Sequence, residues 1–246
     1  MAYIDEMRES GHWLFRWRSY LPLVFIVVIL AALVQARLIG ETHLPDEAWV
    51  VVCLAVSLFG LSIRCLAVGY TPARTSGRNA REQRADQLNT TGFYSIVRHP
   101  LYLGNFFIWM GIALFARDGM VVLACMSIFW LYYERIMIAE EAYIAGKFGV
   151  QFDLWANATP AFLPNPRLYR KSENAFSLRN VLKREYPAFS GIIFSLFLLK
   201  AFNDYQALGK VDLDTFWKVL LALGIGVHLI LRTLKKHTRL LHVPGR

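Results

Sequence analysis

Six apolar stretches, roughly 21–39, 49–69, 101–117, 119–139, 187–203 and 215–233, dominate the 246-residue chain. Crossing the hydrocarbon core of a bilayer takes about 20 residues at about 1.5 Å rise each. A segment surrounded by lipid must satisfy its own backbone polar groups, so each stretch is expected to be helical. The expected fold class is therefore an all-α integral membrane protein with about six transmembrane helices. The third stretch is short, and Arg117-Asp118-Gly119 makes a tight turn into the fourth. That pair reads as a helical hairpin that need not span the whole bilayer. Composition agrees: only 18% of the residues are charged, where a soluble domain carries about a quarter.

The net charge of +9 would suit nucleic acid or an anionic membrane surface, and its distribution separates the two. With the N-terminus placed in the cytoplasm, 21 of the 27 Lys and Arg fall in cytoplasmic segments. The outer loops then hold Glu41, Asp46, Glu47, Asp118, Asp204, Asp212 and Asp214. That is the positive-inside pattern, and no nucleic-acid partner is expected. Both termini would lie in the cytoplasm, and a bacterial inner membrane is favoured over the endoplasmic reticulum. No cleavable leader is expected, because Asp5, Glu6, Arg8 and Glu9 occupy the start. Cys53, Cys65 and Cys125 lie in apolar stretches without zinc-ligand spacing. They read as small core residues, and no metal site is expected.

Two cytoplasmic segments, about 70–100 and 140–186, are too long to be mere connectors. They divide the chain into N-terminal membrane helices (1–70), a core (71–166) and an extension with two further membrane helices (167–246). The first segment ends in Thr91-Gly92-Phe93-Tyr94-Ser95-Ile96-Val97-Arg98-His99-Pro100-Leu101-Tyr102-Leu103-Gly104. By itself this is a helix start, since Pro100 suits a first turn and Arg98 suits a lipid interface. The second segment carries Glu134-Arg135, Glu140-Glu141, Phe148-Gly149, Phe152, Trp155, Pro160 and Pro164. Adjacent carboxylates at a membrane helix end face a polar cavity or a partner by default. Glu134 and Glu141 share one face of a helix.

Together these runs resemble the isoprenylcysteine carboxyl methyltransferase family of membrane enzymes, with its bacterial lipid and phosphate methyltransferase relatives, over roughly residues 75–165. The resemblance rests on the Arg-His-Pro-x-Tyr-x-Gly run, the paired glutamates, the Phe-Gly, the two aromatics three apart and the two prolines four apart. It implies a cytoplasm-facing pocket for S-adenosylmethionine, built by loops and helix ends around the third and fourth membrane helices. The cofactor-binding residues implied are Asn79, Asp86, Gln87, Leu88, Asn89, Tyr94, His99, Pro100, Leu101, Tyr102 and Glu140. Glu134, Arg135 and Glu141 are the catalytic candidates. One departure is clear: the family arginine falls at Ile136 here, and Arg135 stands one residue earlier, about 100° around a helix.

Arg74, Arg78, Arg81 and Arg84 lie beside the motif, and arginine forks suit phosphate and carboxylate oxygens. They are the candidate substrate-binding residues. The acceptor expected is a membrane lipid or lipidated group with an anionic oxygen, first a phosphate of a glycolipid resembling lipid A. Carboxyl methylation of an isoprenylcysteine is the close alternative, and phospholipid N-methylation the third. A nicotinamide-dependent enzyme like the sterol reductases, which carry a similar His-Pro run, and a non-enzymatic membrane protein are the rival classes. Arg64 is expected to snorkel, His228 to be packed and hydrogen-bonded, and Asn105 to face either the pocket or a neighbouring helix.

Overall fold

The computed structural model describes residues 3–18, 20, 23–38, 46–72, 75 and 85–245. Among them, four helices are long and apolar enough to cross a membrane: α3 (Glu47–Tyr70), α5 (Gly119–Phe148), α7 (Leu178–Leu208) and α8 (Thr215–His237). Two shorter apolar helices accompany them: α2 (Leu23–Leu38), and α4 (Pro100–Ala113) with its 3₁₀ extension to Ala116. Each of the six apolar stretches thus lies on a helix, and the protein is an all-helical integral membrane protein. No strand is formed among the described residues beyond one isolated bridge between Gly92 and Arg170.

Polar residues decide where each helix begins. Asp46 caps α3 by accepting from the Trp49 amide, Asp118 caps α5 through the amides of Met120 and Val121, Ser177 caps α7, and Asp214 caps α8 through Trp217. Each side chain satisfies a donor that the first turn leaves without an intrahelical partner. Asp118 also makes the short hairpin between α4 and α5. Asp204 is not in a loop: it is buried in the last turns of α7, paired with Lys200 and accepting from the Asp212 amide.

Two further helices carry no long apolar run. α1 (Tyr3–Trp17) buries Gly11 and Phe15 toward α5 and leaves Trp13, Trp17 and the following Tyr20 exposed. Exposed tryptophan and tyrosine beside a basic end suit the membrane–water interface. α6 (Val150–Ala158) follows α5 after the single residue Gly149, whose φ of 50° is open to glycine and strained for most other residues. At 30 residues α5 is about 45 Å long, longer than the hydrocarbon core of about 30 Å. Its last turns carry Glu140 and Glu141, and the end of α6 comes back beside them, since Arg98 joins Glu141 to the Ala156 and Thr159 carbonyls.

The core lies between α2, α3, α4, α5 and α7, where Cys53, Ile112, Phe129 and Leu196 are fully or almost fully buried. α3 packs most extensively on α4. A Cβ at Gly104 would overlap the Gly60 carbonyl and the stem of Arg64, so this crossing depends on small residues at the contact.

Candidate active site

The Arg98-His99-Pro100 run is stitched to the segment that follows α6. The Arg98 amide donates to the Pro160 carbonyl (2.9 Å), the His99 amide to Ala161 (3.2 Å), and the Asn165 amide to Ile96 (2.9 Å). The Arg98 guanidinium reaches the carbonyls of Ala156 (2.6 Å) and Thr159 (2.9 Å) at the end of α6. Helix ends leave carbonyls unsatisfied, and a cation there also opposes the helix dipole. The same guanidinium holds Glu141 through Nε (2.8 Å) and Nη2 (3.3 Å). Trp155 donates its ring N–H to the Tyr94 carbonyl at 2.9 Å, and Phe162 packs on Phe106 and Trp130. The aromatics and prolines of the second segment are thus the closing half of a clamp whose other half is the Arg98 motif.

His99 stands between the two glutamates. Its Nε2 is 2.8 Å from Glu141 and its Nδ1 is 3.8 Å from Glu140, while its ring stacks on Tyr102 at 5.7 Å. The paired carboxylates therefore divide their work. Glu141 is committed to Arg98 and His99. Glu140 faces the cavity beside the Tyr102 hydroxyl.

A cavity of about 230 Å³ opens in front of this constellation, room for far more than one water. Gln87, Leu88, Asn89, Tyr94, His99, Pro100, Leu101, Tyr102, Glu140 and Glu141 line it, joined by Arg18, Arg64, Asn105, Tyr133, Ile144, Phe152 and Trp155. Asp86 lies in an adjoining polar depression with Gln87, Leu88 and Asn89. Glu134 and Arg135 do not line the cavity. The backbone of Arg135 packs on Gly11 of α1, and Ile136 is fully buried in the core. Asn79 and the four arginines Arg74, Arg78, Arg81 and Arg84 lie outside the described residues. No group of three or more metal-ligating side chains occurs among the described residues.

The family profile described as phospholipid methyltransferase matches residues 50–151. A nickel-cobalt-cadmium resistance protein of Alcaligenes xylosoxydans xylosoxydans is 30% identical over 150 residues, 61% of this chain and 67% of its own. A cobalt-zinc-cadmium resistance protein of Cupriavidus metallidurans is 29% identical over 164 residues, 66% of this chain and 71% of its own. A probable protein-S-isoprenylcysteine O-methyltransferase of Oryza sativa subsp. indica is 30% identical over 147 residues, 58% of this chain and 74% of its own. The chain belongs to the isoprenylcysteine carboxyl methyltransferase-like family of membrane methyltransferases. No solved structure matches.

In this membrane methyltransferase the last residue of the motif, Gly104, makes room for Arg64. Arg64 does not snorkel. Its Nε and Nη2 bind Glu185 of α7 at 2.8 and 3.0 Å, and its Nη1 donates to Asn105 at 2.7 Å. Asn105 in turn donates to the Tyr133 hydroxyl at 3.1 Å, so it serves both the cavity and its neighbouring helices. Glu185 is 4% exposed and comes from beyond the matched residues of the methyltransferase. Sequence reading missed it. It fell in the cytoplasmic segment 140–186 among Arg179, Lys183 and Arg184, where a carboxylate gives no signal of burial. Arg18, Tyr133 and Ile144 were missed as well. His228 is packed against Tyr186 and Phe194 as expected, but its buried Nδ1 makes no hydrogen bond. It lies on α8, outside the cavity lining.

Proposed function

We infer that this methyltransferase uses S-adenosylmethionine and methylates an ionised oxygen on a lipid-borne group at the membrane interface, with an isoprenylcysteine-type carboxylate as the acceptor. The observation that carries the reading is Glu140 and the Tyr102 ring facing one cavity, beside a His99 fixed by Glu141 and Arg98. The donor set fits the cofactor. A carboxylate can accept from an ammonium, imidazole and amide groups can meet a carboxylate or ribose hydroxyls, and aromatic rings favour a cation. Glu140, His99, Tyr102, Tyr94 and the Gln87–Asn89 backbone and side chains would hold it. When bound, S-adenosylmethionine supplies an electrophilic methyl group on a sulfonium sulfur.

The rest falls to the chain's own residues. An ionised oxygen needs no general base, so what is required is close approach and the exclusion of bulk water. The clamp of Arg98 on the end of α6 lays Phe152 and Trp155 over the cavity and supplies that exclusion. Glu141 orients His99 rather than reacting. A carboxylate acceptor is put ahead of a glycolipid phosphate because the isoprenylcysteine methyltransferases are among the relatives, whereas the phosphate reading leaned on Arg74, Arg78, Arg81 and Arg84.

The test is purified protein with radiolabelled S-adenosylmethionine and two acceptors, an N-acetyl-S-farnesyl-cysteine and total glycolipid. Label on the cysteine derivative that mild alkali releases as methanol supports a carboxyl methyl ester. Alkali-stable label in the glycolipid would replace the carboxylate by a phosphate. No transfer to either would sink the acceptor class.

A further inference from the structure

We propose that Arg64 binds the anionic group of the acceptor, and that Glu185 of the C-terminal helix pair is the positioning residue that sets it. The inference rests on the methyltransferase reading and names the acceptor subsite of the same cavity.

An arginine has five N–H donors and no acceptor. Three of the Arg64 donors are engaged, two by Glu185 and one by Asn105. Two remain, on a side chain that lines the cavity. Because Arg64 only donates, the Asn105 atom facing it must be the amide oxygen. The Asn105 nitrogen must then face Tyr133, whose hydroxyl accepts. That leaves the Tyr133 proton free to donate, and Tyr133 also lines the cavity. The chain Glu185, Arg64, Asn105, Tyr133 is thereby polarised in one sense. Arg64 is left with donors alone, and Tyr133 with its proton to donate beside one remaining lone pair. A wall that offers the charge-assisted donors of a paired arginine fits a ligand group made of acceptors alone, which an ionised carboxylate is.

Glu185 makes this wall possible in the membrane. A lone guanidinium so far buried would be expensive, and a bidentate carboxylate both offsets its charge and fixes the plane of its fork. The Arg64 and Glu185 side chains are only 13% and 5% exposed. Methylation would turn the acceptor carboxylate into a neutral ester, which loses the charge-assisted bond to Arg64 and so leaves more readily.

The experiment measures equilibrium binding in lipid nanodiscs, without turnover. The probes are N-acetyl-S-farnesyl-cysteine, its carboxamide, and S-adenosylhomocysteine as the report on the donor site. The wild-type protein is expected to prefer the carboxylate over the carboxamide by about tenfold, the worth of one charge-assisted hydrogen bond. Arg64→Met alone would strand Glu185 and risk misfolding. The double variant Arg64→Met with Glu185→Leu removes both charges, a change buried ion pairs tolerate. It should lose the carboxylate preference while still binding S-adenosylhomocysteine. Glu185→Gln both releases the fork and uncovers its charge, so the preference should change there and return toward the wild-type value in Glu185→Asp; an unchanged preference in Glu185→Gln overturns the positioning role. A double variant that keeps the full preference, or a wild type that shows none, overturns the proposal alone. A wild type that does not bind S-adenosylhomocysteine overturns the methyltransferase reading on which the proposal rests.

Discussion

Two neighbouring glutamates show how far residue identity can stand from role. Glu141 is tied to Arg98 through both oxygens and to His99, whereas Glu140 is left to the cavity. We predict that Arg98→Ala destabilises the protein by about 3 kcal/mol, since it strands a partly buried carboxylate and two helix-end carbonyls. Glu140→Gln should change stability by no more than about 0.5 kcal/mol yet weaken S-adenosylhomocysteine binding about tenfold. Thermal unfolding and calorimetric titration of the two variants check this. Equal stability loss in both would mean that the glutamates share one structural role. At the same scale, replacing Glu134 and Arg135 by Ala should leave donor binding unchanged, because neither side chain lines the cavity.

At the level of elements, side chains near helix ends close one helix onto another. Trp155 holds α6 to the Tyr94 carbonyl. Trp155→Phe keeps the ring and removes the donor, so a loss of about 1–3 kcal/mol is expected, with a rise in the Michaelis constant for the methyl donor as α6 loosens. Unchanged melting and unchanged kinetics would show that the clamp does not depend on this bond. The end of α3 is closed in the same way by α7: the Asn180 side chain donates to the Val68 carbonyl at 2.9 Å, and the Ser177 amide to Gly69 at 2.9 Å. These bonds add to those that Thr71 gives the Val68 carbonyl, and serve the carbonyls that a helix C-terminus leaves exposed. The C-terminal extension is therefore joined to the core by its first turns as well as by Glu185. Gly104→Ala would press on Arg64 and on the facing Gly60 backbone, with an overpacking cost of about 1–3 kcal/mol.

Across the whole molecule, the start of α7 and the end of α8 lie together, since Lys183 lines one depression with Lys235, Arg239 and His242. The turn between α7 and α8, at Gly209, lies at the other end of that helix pair. We predict that Glu173→Cys and Arg239→Cys are labelled by an impermeant maleimide from one side of sealed vesicles, and Lys210→Cys from the other. All three positions are exposed; Cys53 and Cys125 are buried, and the half-buried Cys65 is replaced by Ser in each variant. Labelling of all three from one side would refute the arrangement of α7 and α8 as a spanning pair.

Hydropathy alone determined that this chain is helical and membrane-embedded, because lipid leaves a backbone few other ways to satisfy itself. The spacing of Arg98, His99, Tyr102, Glu140 and Glu141 was likewise readable, since those residues sit on continuous runs of chain. The amphipathic α1 escaped notice because it lacks a long apolar run, and α6 because it is short. Only the tertiary structure decided that Arg64 meets Glu185 across 121 positions of sequence, that Glu141 rather than Glu140 takes Arg98, and that Glu134 and Arg135 stand outside the cavity. Hydropathy and motif spacing are local properties of the chain. Which charged group finds which partner depends on how helices distant in sequence cross, and that is fixed by packing at contacts such as Gly60 against Gly104.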